Sequence, residues 1–272
     1  MSVDQLDLLQ QGLSWFLLFA LGACFGSFAT VLEARIPDGR SVITPPSACP
    51  QCGHKLRWFE NLPLLGYLVL RGRCAGCGKP IGKIYPLTEL ATALLFVDAF
   101  TPGPLPHIAG PNLALAAVAV VTVPLILIDI KLYRLPNAIT YSTGLVVALI
   151  ATGQALASGD WTAWGIAMLC GIVPAGMLFL LAVFSRGGMG LGDVKLAMVL
   201  GWAAGMFGVK ATLTVFVIAF LVGGVYAVGL LVTKRGGAKH AIPFGPFLLA
   251  GFWIAFLGGN SVQNIVLSLW GF

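Results

Sequence analysis

The sequence predicts an all-α polytopic membrane protein of about eight transmembrane helices, with a small zinc-ribbon-like loop domain on the cytoplasmic side between the first two. Three observations predict it. Of the 272 residues, 58% are hydrophobic and only 10% charged, against roughly 25% charged in a soluble domain. Apolar runs near bilayer-spanning length recur along the chain. The Lys and Arg residues collect in alternate connections between those runs.

In chain order the runs lie at 13–34, 86–101, 111–130, 137–157, 161–184, 191–207, 209–232 and 243–270. The second and sixth are short for the roughly 20 residues a helix needs to cross a bilayer. The first has an acidic flank (Asp4, Asp7) and is followed by Arg35, so it reads as a retained anchor rather than a cleavable signal. Pro102-Gly103-Pro104, Pro136, Gly187-Gly188 and Gly236-Gly237 fall between runs, where helix breakers belong. No internal repeat is evident, which argues against a transporter built from two halves.

Placing the N-terminus outside leaves fifteen of the sixteen Lys and Arg residues on the cytoplasmic side, with Lys210 alone outside. Membrane insertion demands that kind of segregation. The net charge of +6 forms no continuous basic stripe, so the sequence gives no reason to expect a nucleic-acid partner. The partner it does imply is the lipid bilayer.

Segment 35–85 is the one long hydrophilic stretch and offers little apolar periodicity for a core. Within it stand Cys49-Pro-Gln-Cys52 and Cys74-Ala-Gly-Cys77, two knuckles that could each give two thiolates to a tetrahedral zinc ion. A cytosolic loop disfavours disulfides, and zinc would supply folding free energy that the loop lacks. Four thiolates fill the coordination shell, so the expected ion is structural. His54 is left out of the ligand set, and Cys24 and Cys170 read as small buried hydrophobes.

Most of the ten acidic residues have an ordinary place, but Asp129 and Asp193 stand in apolar runs, where a carboxylate is costly and usually kept for function. On the charge-derived topology Asp129 ends an outside-to-inside span and Asp193 begins an inside-to-outside span. Both are therefore expected at similar depth near the cytoplasmic face. Gly190 and Gly192 allow close backbone approach beside Asp193, and Lys195, two positions on, points to another helix face. Two carboxylates held close share a proton. One can then activate water against a peptide carbonyl while the other protonates the leaving group; the sequence leaves open which does which.

These residues resemble a known family, the bacterial type IV prepilin peptidases or leader peptidase/N-methyltransferases. The resemblance is carried in order by Gly26-Ser27-Phe28, both knuckles, Glu60-Asn61-Leu62-Pro63, Arg71-Gly72-Arg73-Cys74, Tyr85-Pro86-Leu87-Thr88-Glu89, Leu135-Pro136-Asn137, Gly190-Leu-Gly-Asp193-Val-Lys195 and Pro243-Phe244-Gly245-Pro246-Phe247. It implies an intramembrane Gly-x-Gly-Asp aspartyl peptidase of the bacterial inner membrane, with catalytic Asp129 and Asp193 supported by Gly190, Gly192 and Lys195. The implied substrates are type IV prepilins or type II secretion pseudopilins. Their basic leader is cleaved on the cytoplasmic side, and the new N-terminus is then methylated with S-adenosylmethionine.

The resemblance also divides the chain into a first helix at 1–34, a methylation-associated zinc loop at 35–85 and a peptidase domain at 86–272. No Gly-x-Gly-x-x-Gly stands in the sequence to mark a methyl-donor site. Competing readings are a peptidase without methyl transfer and an ion-coupled transporter using the two aspartates.

Gly22-x-x-x-Gly26 and Gly201-x-x-x-Gly205 are expected to pack helices within the bundle. Glu89 is expected in a local pair or reaching toward the interface.

Overall fold

The computed structural model describes residues 3–100, 109–184, 190–233 and 242–268. In chain order these form α1 (Val3–Arg35), α2 (Leu65–Val69), α3 (Ile84–Asp98), α4 (Gly110–Leu132), α5 (Asn137–Ser158), α6 (Trp161–Phe184), α7 (Leu191–Gly205), α8 (Val209–Val232), α9 (Gly245–Leu257) and α10 (Gly259–Ser268). The all-helical, multi-pass membrane architecture is thus present. Leu9–Arg35, α4, α5, α6 and Val209–Leu230 are each long and apolar enough to cross a membrane.

The expected spans at 86–101 and 191–207 become 15-residue helices, α3 and α7. At 1.5 Å per residue each is about 22 Å long, short of the roughly 30 Å hydrocarbon core. The run at 243–270 divides at Gly258 into α9 and α10, because Gly258-Gly259-Asn260-Ser261 is a cluster of poor helix formers.

The chain separates into two compact units, Met1–Ile108 with Ala119–Pro124, and Ala109–Val118 with Leu125–Phe272. In the first, α1 and α3 pack as an antiparallel pair. A Cβ on Gly22 would lie 2.9 Å from Ala93 Cα, and one on Gly26 would lie 2.6 Å from Glu89 Cα. The Gly-x-x-x-Gly pattern therefore seats α3 on α1 by backbone approach, and Phe25 stacks on Phe96 at 5.4 Å beside it. Glu89 accepts the Leu64 N–H at 2.8 Å, a partner 25 residues away in sequence. Leu64 has φ 60, so this bond holds the backbone in a left-handed conformation that a leucine rarely adopts.

In the second unit α7 packs against α5, α6, α8 and α9. Ala197, Gly201, Ala203, Ala204 and Gly205 are all buried on it, and such small residues let backbones approach closely where lipid gives no hydrophobic push. Helix α6 has the complementary surface: Ala167, Cys170, Gly171, Ala175 and Leu178 are buried, while Leu169, Val173, Met177 and Leu180 are exposed. Both faces are apolar, which suits a helix with protein on one side and lipid on the other.

A Cβ on Gly201 would fall 2.6 Å from Gly171 Cα, whereas one on Gly224 would meet nothing within 4 Å. Gly201→Val is therefore expected to force α6 and α7 apart, at an overpacking cost of about 1–3 kcal/mol. Gly224→Ala should be neutral or mildly stabilising. Thermal unfolding of both proteins in detergent would show it.

Candidate active site and metal centre

Asp129 lies in the last turn of α4, Asp193 in the first turn of α7 and Gly245 at the first position of α9. Three helix ends thus come together within one unit. The first N–H groups of a helix have no intrahelical acceptor, and that of Gly245 donates to Asp129 Oδ2 at 3.1 Å. Asp193 is close enough to Asp129 for their charges to act on each other. Both carboxylates are buried, 4% and 8% exposed as residues.

Local sequence explains how each carboxylate is held. Helix α4 stops at Tyr133, whose φ of 53 is left-handed and whose N–H returns to the Asp129 carbonyl. Pro136, at φ −63 and ψ 127, then caps α5. Gly190 is the extended N-cap of α7, and a Cβ there would stand 3.4 Å from Asp193 Oδ2. At Gly192 a Cβ would lie 3.1 Å from Leu135 Cβ, so this glycine lets the Leu135-Pro136 turn pass against the start of α7.

Lys195 is turned to α5, with Nζ 2.9 Å from Asn137 Oδ1 and 5.0 Å from the Tyr141 ring centroid. It steadies the helix that carries Asp193 without being a partner of that carboxylate. Of the residues expected from the sequence, Asp129, Asp193, Gly190 and Gly192 are brought together, and Lys195 stands to one side.

Gly245 and Leu135 also stand beside the carboxylates; the sequence reading includes both in motifs that carry the resemblance but gives neither a role at the site. The signal for Gly245 is Gly245-Pro246 opening an apolar run: proline in the first turn marks a helix start, and the N–H of the residue before it has no intrahelical acceptor. A Cβ on Gly245 would sit 2.7 Å from Asp129 Oδ2. Gly245→Ala is therefore expected to push the carboxylate off its donor and, by misplacing it, to slow catalysis about 10²-fold. Because Gly245 has no positive φ, the fold should tolerate the methyl; initial rates at unchanged thermal stability would check this.

In the first unit, the Sγ atoms of Cys49, Cys52, Cys74 and Cys77 all lie within 4.8 Å of one another, Cys52 and Cys74 at 3.9 Å. A tetrahedral ion with Zn–S bonds of about 2.3 Å needs sulfur–sulfur edges of about 3.8 Å, so the donor set fits such an ion.

The two knuckles are built alike. Cys49 N–H donates to the His54 carbonyl and Gly53 N–H to the Cys49 carbonyl; Cys74 N–H donates to Lys79 and Gly78 N–H to Cys74. Gly53 and Gly78 have φ of 73 and 69, a turn that favours glycine. The legible but unused signal was Cys-x-x-Cys-Gly, present twice. Antiparallel bridges Ala48 to Lys55 and Arg73 to Pro80 close each knuckle.

His54 is engaged away from the sulfurs. Its Nε2 lies 3.0 Å from Glu60 Oε2, which also accepts the Arg57 N–H at 2.9 Å. The Arg57 N–H, then His54, hold the Glu60 carboxyl below the usual carboxylate range. Of the two cysteines outside the knuckles, Cys170 is buried as expected and Cys24 is exposed.

Residues 20–101 match the Bacterial Peptidase A24 N-terminal domain and residues 115–228 the Type IV leader peptidase family. Among similar proteins, one from Bacillus subtilis (strain 168) is 33% identical over 259 residues, covering 93% of this chain and 98% of the relative. One from Aeromonas hydrophila is 34% identical over 299 residues, covering 96% and 97%. One from Myxococcus xanthus (strain DK1622) is 37% identical over 229 residues, covering 82% of this chain and 65% of that longer protein. Each of the three is named prepilin leader peptidase/N-methyltransferase. No solved structure matches.

Proposed function

The chain belongs to the type IV leader peptidase family, and on that premise we propose that it cleaves the leader from prepilins or pseudopilins and methylates the new N-terminus. Asp129 and Asp193 carry the cleavage. The observation that supports this is that the ends of two different helices bury both carboxylates in one unit, with Asp129 held by the first N–H of a third helix.

The chemistry follows from two buried carboxyls sharing one proton. The ionised one takes a proton from water as the water oxygen bonds to the scissile carbonyl carbon. The protonated one then gives its proton to the leaving nitrogen as the carbon–nitrogen bond breaks. The Gly245 N–H keeps Asp129 aimed. Gly190 and Gly192 leave room for a peptide backbone, and Lys195 secures the start of α7 against α5.

The four cysteines hold a structural zinc ion, which ties the two knuckles of segment 35–85 together. Methyl transfer belongs to that segment and draws on S-adenosylmethionine. The division into 1–34, 35–85 and 86–272 describes the labour of the chain. Eight membrane insertions include α3, α7 and α9 as shorter helices supported by longer neighbours. The basic loops favour an inner-membrane protein with its N-terminus outside and the site near the cytoplasmic face.

The test is incubation of the purified protein in detergent with a prepilin and labelled S-adenosylmethionine. A shortened, labelled pilin is the expected product. Cleavage without label would leave a peptidase alone, and neither would sink the assignment.

A further inference from the structure

The loop between α1 and α3 has an outer surface at odds with a domain surrounded by water. From Leu62 to Leu70 it runs nine residues without a charge, and this stretch includes α2. The buried residue of α2 is Gly66, pressed against the Glu60 carbonyl. The large side chains turn outward: Leu65 is 58% exposed, Leu68 68% and Val69 71%, with Trp58 at 79% beside them in sequence. Within α2, Leu65, Leu68 and Val69 recur at helical spacing, so they share one face.

Cations flank this face. Segment 35–85 contains eight Lys and Arg residues against Asp38 and Glu60, an excess of six that equals the formal net charge of the whole chain. Lys55, Arg57, Arg71 and Arg73 are exposed on either side of the apolar run. The loop also leaves and re-enters one end of the antiparallel α1–α3 pair, from Arg35 to Ile84, so its two ends are fixed at one bilayer surface.

We propose that Trp58, Leu62, Leu65, Leu68 and Val69 form a membrane-docking face that seats the cysteine loop in the headgroup layer of an anionic lipid surface. Tryptophan prefers that layer, short apolar helices bury their outward face there, and basic residues beside them are attracted to anionic lipid. Charge argues against the other occupants. A second copy would bring the same positive excess against itself, and a substrate with a basic leader would meet the same repulsion. This inference stands apart from the peptidase chemistry, since every residue in it lies outside the aspartate site.

The full chain, reconstituted in vesicles, tests it with a photoreactive benzoylphenylalanine replacing Leu68, and in a second protein replacing exposed Gln51 on the first knuckle. Equal metal content in both would certify the fold. The expected result is lipid adducts several-fold more abundant from position 68 than from position 51, with yield falling several-fold when phosphatidylglycerol is omitted in favour of phosphatidylcholine. Three results would overturn the proposal: adducts from position 68 only to a second copy or to added prepilin, lipid adducts no more abundant than from position 51, or equal yield in the two lipids.

Discussion

The Asp193→Asn protein is expected to cleave a prepilin about 10²–10⁴-fold more slowly than the native chain, the loss typical when a positioned proton-transfer group is removed. The substitution is nearly isosteric. The Asp193 N–H still donates to the Gly190 carbonyl, so the start of α7 keeps its anchoring. A carboxamide cannot exchange a proton with water or with a leaving amine. Thermal unfolding in detergent should therefore not fall, because the buried position no longer has to hold a carboxyl beside that of Asp129. Methyl transfer to an already shortened pilin should persist as well, since segment 35–85 lies in the other unit. A transporter reading expects instead the loss of ion-coupled uptake in a protein that never cleaved anything.

The second large effect concerns the cysteines. Between α1 and α3 the described structure contains the five-residue α2 and two isolated bridges, too little to order some fifty residues unaided. Structural zinc in zinc-finger peptides contributes on the order of 10–16 kcal/mol of binding free energy near pH 7, which there is folding free energy. Cys74→Ser removes a buried thiol from the proposed zinc site and is expected to abolish metal binding, expose the loop to protease and abolish methyl transfer. Cleavage should fall far less, because the residues holding Asp129 and Asp193 belong to the other compact unit. Metal content measured with a chromogenic chelator, alongside limited proteolysis and both enzymatic assays, would separate these outcomes. Retained metal together with retained methyl transfer would remove the cysteines from the account.

Features set by local composition were legible before any coordinates. Long apolar runs became α1, α4, α5, α6 and α8, and two Cys-x-x-Cys pairs became one cluster of sulfurs. The aspartates were legible in a different way. Each is an expensive residue in an apolar run, and charge bias gave both the same expected depth without saying that α4 and α7 would bring their ends together in one unit.

What escaped the sequence depends on tertiary approach. Gly245 is one of 35 glycines, and only the arrival of α9 at the end of α4 makes its N–H part of the site. The breadth of the run at 243–270 concealed the break at Gly258, since mean hydropathy does not register three or four weak helix formers. The loop was read as coreless. Its short apolar helix turns its side chains outward, a direction that a hydrophobic pattern five residues long cannot specify.

The most direct test of the aspartate pair compares Asp129→Asn, Asp193→Asn and the double variant in one prepilin cleavage assay at matched zinc content. If the two carboxylates act as one unit, each single substitution should remove nearly all the activity and the double should be no worse than either. Either single variant cleaving at the native rate, or losses that multiply in the double as for independent groups, would contradict the pair as the catalytic centre.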